Sequence, residues 1–209
     1  MAWGPEDWEL WTPEEAPRPA GVPEPVRLIQ RTLLRIPGRR RKTAGDIGCG
    51  LGTMLPFLSA HFARVVAVEP RTTTLAEARE ASDGLSIEFR QRRLDDLNSL
   101  RGRLHVAVAV DSIGGHAQGI DIVLAQIHDC LVEGGVVLAT LPGVRRGGPP
   151  YAMSLVDTGE RATGELHEVE LQYRLRQAGF QGLRIRRFAG DDDEAHDTLL
   201  FMAARRANN

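Results

Sequence analysis

The sequence predicts an α/β protein: a mostly parallel sheet of seven strands, helices on both faces, and one antiparallel strand near the C-terminus. Three observations carry this. Short apolar, β-branched runs alternate with helical stretches through the middle of the chain, the rhythm that builds a parallel sheet. A glycine-rich turn, DIGCGLG at 46–52, follows the first such run. Only seven residues, AGDDDEA, separate the last two runs, GLRIRRF at 182–188 and HDTLLFMAAR at 196–205. A parallel pair needs a crossover of about a dozen residues or more, so this link allows only an antiparallel return.

Taken in order, residues 1–25 stand apart. They hold all three tryptophans (Trp3, Trp8, Trp11), six of the twelve prolines, and six acids against one arginine. An arm without regular structure is expected. Solvated tails are usually poor in aromatics, so Trp11 and its neighbours are candidates to pack on the domain or over a ligand. The domain proper is expected at 26–209. Val26, Ile29, Leu33 and Ile36 share one helical face after Pro25, and Pro37-Gly38 ends that helix. AGDIG reads as the first strand. TMLPFLSAHF reads as a helix, with Pro56 tolerated near its first turn. RVVAVEP is a buried strand, TTLAEAREA a helix, Asp83-Gly84 a turn and LSIEFR a third strand. LHVAVAV, 104–110, is apolar enough to be covered on both faces. An amphipathic helix from Ile120 to Leu131, the strand VVLATLP and a helix from Leu166 to Gln177 complete the order.

A chain of 209 residues builds one full-sized core. With 42% hydrophobic and 26% charged residues and a net charge of -2, no global field recruits nucleic acid or a membrane surface. The basic run GRRRK at 38–42 reads as a solvated connection. Cys49 and Cys130 alone make neither a disulfide framework nor a four-ligand zinc site. No metal is expected, and a cytoplasmic location fits. No apolar run approaches the length of a membrane span, and MAWGPEDWEL is acidic where a signal peptide starts basic. The expected partner is a small molecule, with a homodimer as a candidate assembly.

The chemistry starts in the turn. A glycine-rich link between a first strand and a first helix is where such sheets hold nucleotide-like ligands, because missing side chains let backbone approach ligand. The dinucleotide pattern G-x-G-x-x-G would need a third glycine at position 53, which is Thr53. Glu69 ends the second strand, beside the ligand position, where a carboxylate can accept both hydroxyls of a ribose. Charge-assisted hydrogen bonds of that kind are worth about 1.5–3 kcal/mol each.

From about residue 26 to the end, the chain resembles a class I S-adenosylmethionine-dependent methyltransferase of the small-molecule type. DIGCGLG resembles that family's first motif, VVAVEP its second, LHVAVAVD its fourth and LVEGGVVLATLP its post-motif segment. The antiparallel terminal strand is the family's usual departure from the Rossmann pattern. The resemblance implies a Rossmann-like fold, S-adenosylmethionine as cofactor and S-adenosylhomocysteine as product. It places the turn from Asp46 through Gly48, Cys49, Gly50 and Gly52 around the methionine and ribose portions, with Cys49 a small filler contributing its backbone amide. Glu69 binds the ribose hydroxyls, and Pro70 follows it. The third motif departs from the pattern. Arg93 stands where relatives often carry an acid for the adenine amino group, leaving the Leu94 amide and Asp95 as candidates. His105 replaces an aspartate common at the start of the fourth strand, with a structural consequence expected.

The implied reaction is methyl transfer to a small molecule, with a hydroxyl oxygen as the expected acceptor. Counted back from Gly134-Gly135, His116 aligns with a histidine that many small-molecule methyltransferases carry just past the fourth strand, and it is the candidate general base. Counting forward from that strand differs by one residue. Asp111 is expected to face the methionine end of the cofactor or to orient His116. Substrate walls are expected from the N-terminal arm, through Trp11, and from residues 143–160, through Tyr151 and Met153, with Arg145 and Arg146 suited to an acidic group. A non-catalytic binding module on the same fold is the alternative. A nicotinamide oxidoreductase is opposed by Thr53 and by the terminal antiparallel strand.

Overall fold

The computed structural model describes residues 21–113, 119–143, 166–189 and 197–207. Its strands are β1 (Thr43–Ile47), β2 (Arg64–Glu69), β3 (Ile87–Gln91), β4 (Leu104–Ala109), β5 (Leu131–Gly143), β6 (Phe180–Phe188) and β7 (Asp197–Arg205). They form one sheet in the order β3-β2-β1-β4-β5-β7-β6. β1 lies parallel to β2 and β4, β2 to β3, and β4 to β5. β7 runs antiparallel to both β5 and β6, as the short link before it requires.

The helices are α1 (Glu24–Leu34), α2 (Leu55–His61), α3 (Thr72–Ala81), α4 (Ile120–Cys130) and α5 (Glu168–Gln177). The period of two along each strand divides them into two layers. Ala44, Ala67, Val108, Leu138 and Leu200 pack with Ile29 and Leu33 of α1, Leu55 and Leu58 of α2 and Leu75 of α3. Ile47, Val68, Ala107, Ala139 and Phe201 pack with Val123, Leu124 and Ile127 of α4 and Leu171 and Leu175 of α5. Burial on both faces is why the central strands read as unbroken apolar runs. Each fully buried Leu or Ile contributes about 1.5–3 kcal/mol, so the sheet is held rigidly beneath its edges.

Boundaries moved at several ends, for local reasons. α1 begins at Glu24, with Pro25 in its first turn, where a missing N–H costs nothing. α2 begins at Leu55, because residues 51–54 remain part of the turn. α5 begins at Glu168 rather than Leu166, since the backbone of Leu166 is bridged to β5 at Gly143. β5 starts at Leu131, not at Val136, with an irregularity between the Leu104–Leu131 and Val106–Val136 pairs. Arg174 fastens α5 to α4 through Asp121 at 2.6 Å, and Arg187 joins Glu168 and the buried Asp197, each at 2.9 Å. Among the described residues no helix is long and apolar enough to cross a membrane, and no cluster of His, Cys, Asp and Glu could hold a metal ion.

Candidate functional site

In this strand order the chain reverses direction across the sheet between β1 and β4, the switch point at whose carboxyl ends open α/β sheets form a ligand crevice. The turn after β1 fills one side of it. Gly48, Gly50 and Gly52 all have left-handed backbones, at φ +74°, +54° and +83°, which glycine alone adopts without penalty. They are not equivalent. A Cβ on Gly48 would sit 2.4 Å from the Ser112 Cβ, and one on Gly52 would sit 2.9 Å from Leu55 Cδ1. A Cβ on Gly50 would meet nothing within 4 Å. The outer two glycines therefore serve packing, and the middle one faces open space among the described residues.

The amides of Gly48 and Cys49 both donate to the Val68 carbonyl, at 2.8 and 2.9 Å, and the Gly52 amide donates to the Cys49 carbonyl at 2.8 Å. This corrects one expectation: the Cys49 amide is already used to tie the turn to β2. Its side chain is the buried filler that was expected. Burial pushes the thiol up to about 12, with Asp46 and Glu69 adding to the effect, so it stays protonated and unreactive at neutral pH.

Glu69, only 4% exposed, closes the far side of the turn. Its Oε2 accepts the Gly50 amide at 3.3 Å, while Oε1 accepts the Arg71 amide at 3.1 Å and Arg71 Nε at 3.2 Å. Pro70, between them, offers its carbonyl to Gln91 Nε2 at 3.4 Å. Asp46, at the end of β1, is 2% exposed, and its Oδ2 has no hydrogen-bond partner among the described residues. Burial raises this carboxyl to about 7. An unpaired buried carboxylate is costly and suits a cationic group brought by a ligand.

Across the crevice, Asp111 follows β4 with a left-handed backbone at φ +50°, the one non-glycine residue so placed among those described. Its amide donates to Thr140 Oγ1 at 2.9 Å, and that hydroxyl donates back to Asp111 Oδ1 at 2.6 Å. Ser112 Oγ donates to the Ile47 carbonyl at 2.6 Å. Thr140 and Ser112 escaped the sequence reading. Their only signal was a hydroxyl inside an apolar strand and another beside Asp111.

Leu94 is buried, with its Cδ1 3.5 Å from the place of a Gly48 Cβ. Asp95 is held by Arg93 through two bonds of 2.9 and 2.7 Å, one to each carboxylate oxygen. An adenine amino group would share that carboxylate with a guanidinium. His105 lies at the amino end of the central strand β4, away from the glycine turn, where its Nδ1 accepts the Thr43 amide at 3.1 Å. Burial and Lys42 depress its pKa and favour the neutral acceptor, a structural role as expected. His116, Trp11, Tyr151, Met153, Arg145 and Arg146 lie outside the described residues.

Residues 45–135, from β1 into β5, match a family model described as a methyltransferase domain. Comparison with curated protein sequences finds no match. Among solved structures, the YcgJ protein from Bacillus subtilis superposes with a TM-score of 0.70 at 12% identity, over 88% of this chain and 99% of its own. Phosphoethanolamine N-methyltransferase 2 of Haemonchus contortus, solved with phosphomonomethylethanolamine and S-adenosylhomocysteine, gives 0.70 at 16% identity over 98% of this chain and 58% of that one. The CurJ carbon methyltransferase gives 0.66 at 13% identity over 87% of this chain, which spans about half, 53%, of that structure. At such identities these likenesses are of fold.

Proposed function

We propose that this chain, which carries a methyltransferase domain match over residues 45–135, is a class I S-adenosylmethionine-dependent methyltransferase that transfers the methyl group to a hydroxyl oxygen of a small-molecule acceptor. The observation that carries the reading is the Glu69 carboxylate bonded to the Gly50 amide at 3.3 Å. It sets an acid against the glycine whose missing side chain leaves open space.

The residues present fit the cofactor. Glu69 suits the two ribose hydroxyls, Gly50 admits close approach, and the orphaned Oδ2 of Asp46 suits the ammonium of the amino-acid end. Thr53 stands where a pyrophosphate site would need glycine. Bound S-adenosylmethionine supplies a methyl group on a sulfonium that is already electrophilic. What remains for the protein is orientation and exclusion of water, and alignment of the reactants can supply about 7–11 kcal/mol.

A hydroxyl acceptor must also lose its proton. His116, just past β4, takes that role in our reading, for a rate contribution of about 10²–10⁴-fold. Asp111 stands five residues before it. A small acceptor is supported by the Haemonchus contortus structure, which was solved with a small phosphorylated amine, and by the lack of a strong net charge that would recruit nucleic acid. The aromatic arm around Trp11 and the segment bearing Tyr151 and Met153 are the proposed walls of the acceptor pocket.

The test is calorimetric titration with S-adenosylhomocysteine, followed by a methyl-transfer screen against a panel of hydroxylated and amine metabolites. Tight binding with transfer to oxygen supports the proposal. Transfer only to nitrogen or carbon rejects the acceptor. A folded chain that binds no S-adenosylhomocysteine leaves the non-catalytic binding module.

A further inference from the structure

Within the run Val136–Leu141 of β5, Thr140 carries the one hydroxyl, and it is 1% exposed. A β-branched residue in a strand needs no special reason, but a hydroxyl buried there must be paired. Among the described residues, both of its partners belong to a single residue. Oγ1 accepts the Asp111 amide at 2.9 Å and donates to Asp111 Oδ1 at 2.6 Å. This two-point grip holds Asp111 in a left-handed conformation, φ +50°, that an L residue otherwise avoids.

The grip leaves the side chain half used. Oδ1 is taken, no described residue engages Oδ2, and Asp111 as a whole is exposed. The next residue, Ser112, is bonded to the Ile47 carbonyl and lies against Gly48, so Asp111 is anchored beside the start of the glycine turn. On the β1 side of the same switch point, Asp46 keeps a buried oxygen without a partner among the described residues. Two acids, each with an oxygen that no described residue engages, therefore flank the reversal point of the sheet, an arrangement suited to one cation.

We infer that Thr140 is a positioning residue, holding Asp111 so that its uncommitted carboxylate oxygen receives the ammonium of the amino-acid end of bound S-adenosylmethionine. The inference rests on the cofactor reading above. A Thr140 that only filled β5 would show itself as a loss of stability without a change in ligand selectivity.

Calorimetry on the full chain with two probes separates these cases. S-adenosylhomocysteine carries the ammonium, whereas 5′-methylthioadenosine has the same nucleoside and a thioether but no amino-acid end. Thr140→Val keeps the shape of the side chain and removes the hydroxyl. It is expected to weaken S-adenosylhomocysteine about tenfold, to leave 5′-methylthioadenosine unchanged, and to be rescued by Thr140→Ser. Asp111→Asn, which keeps the backbone and removes the charge, is expected to reproduce the selective loss. Unchanged S-adenosylhomocysteine affinity in Thr140→Val, or equal loss of both probes, overturns the inference and leaves the cofactor reading intact. A wild-type chain that binds neither probe overturns both.

Discussion

Glu69 Oε2 accepts the amide of Gly50, nineteen residues away in sequence, at 3.3 Å. The carboxylate proposed for the ribose and the glycine that faces open space are thus one unit. Oε1 is oriented in turn by the Arg71 amide, so the acid is fixed before any ligand arrives, and little ordering is left to oppose binding.

Replacing Glu69 with alanine removes that carboxylate altogether. S-adenosylhomocysteine affinity should fall about tenfold or more, from the loss of ribose hydrogen bonds. Titration calorimetry on a variant shown to be folded by circular dichroism checks this, and an unchanged Kd would reject the role given to Glu69.

The glycines of the turn should separate by phenotype. Gly48→Ala drives a methyl to 2.4 Å from the Ser112 Cβ at φ +74°, adding overpacking of about 1–3 kcal/mol to a left-handed penalty of about 1–2 kcal/mol. A Tm lowered by roughly 5–15 °C is expected. Gly50→Ala has open space and carries only the backbone penalty, so its Tm should drop by roughly 2–6 °C. Its methyl would stand in the ligand's path, however, and S-adenosylhomocysteine binding should suffer more than stability does. Thermal melts paired with titrations decide it; equal behaviour of the two variants would contradict the division of roles.

Asp46 should make binding depend on pH. Burial raises this carboxyl from 3.8 to about 7 in the ligand-free protein. Its contribution to folding stability is therefore full below its ordinary value and is lost as pH rises through about 7. Binding of a cationic amino-acid end has the opposite preference, since it favours the ionised acid. Affinity for S-adenosylhomocysteine should rise between pH 6 and pH 8, roughly across that titration, with a proton released on binding. Titrations in buffers of different ionisation enthalpy measure that proton, and Asp46→Asn should abolish it.

His116→Ala should lower the turnover number by about 10²–10⁴-fold while leaving S-adenosylhomocysteine affinity close to wild type. Once an acceptor is in hand, a kcat measured beside a Kd reads both. A normal kcat would show that no base is needed from this residue.

Much of the fold was legible because it depends on features local to the chain. The alternation of apolar runs with helical stretches implied a parallel sheet, and the seven-residue link before β7 admitted only an antiparallel return, because chain length limits connection geometry whatever the packing. The glycine turn and Glu69 were legible for a related reason: each sits at a strand end whose place the strand–helix rhythm predicts. Other features were settled only by register between distant strands. Thr140 lies 29 residues from the Asp111 it holds, and Ser112 lies 65 from the Ile47 carbonyl it caps. In sequence each is an ordinary hydroxyl, because a hydroxyl carries no mark of the partner that will satisfy it. The Cys49 amide could be assigned to a ligand until β2 brought the Val68 carbonyl within 2.9 Å. Asp95 could serve adenine alone until the local loop folded Arg93 onto both of its oxygens. Residue type and spacing determined which elements form and which side chains could do chemistry. Tertiary structure decided which of their hydrogen-bonding groups are already spent, and which, like Asp46 Oδ2, have no partner among the described residues.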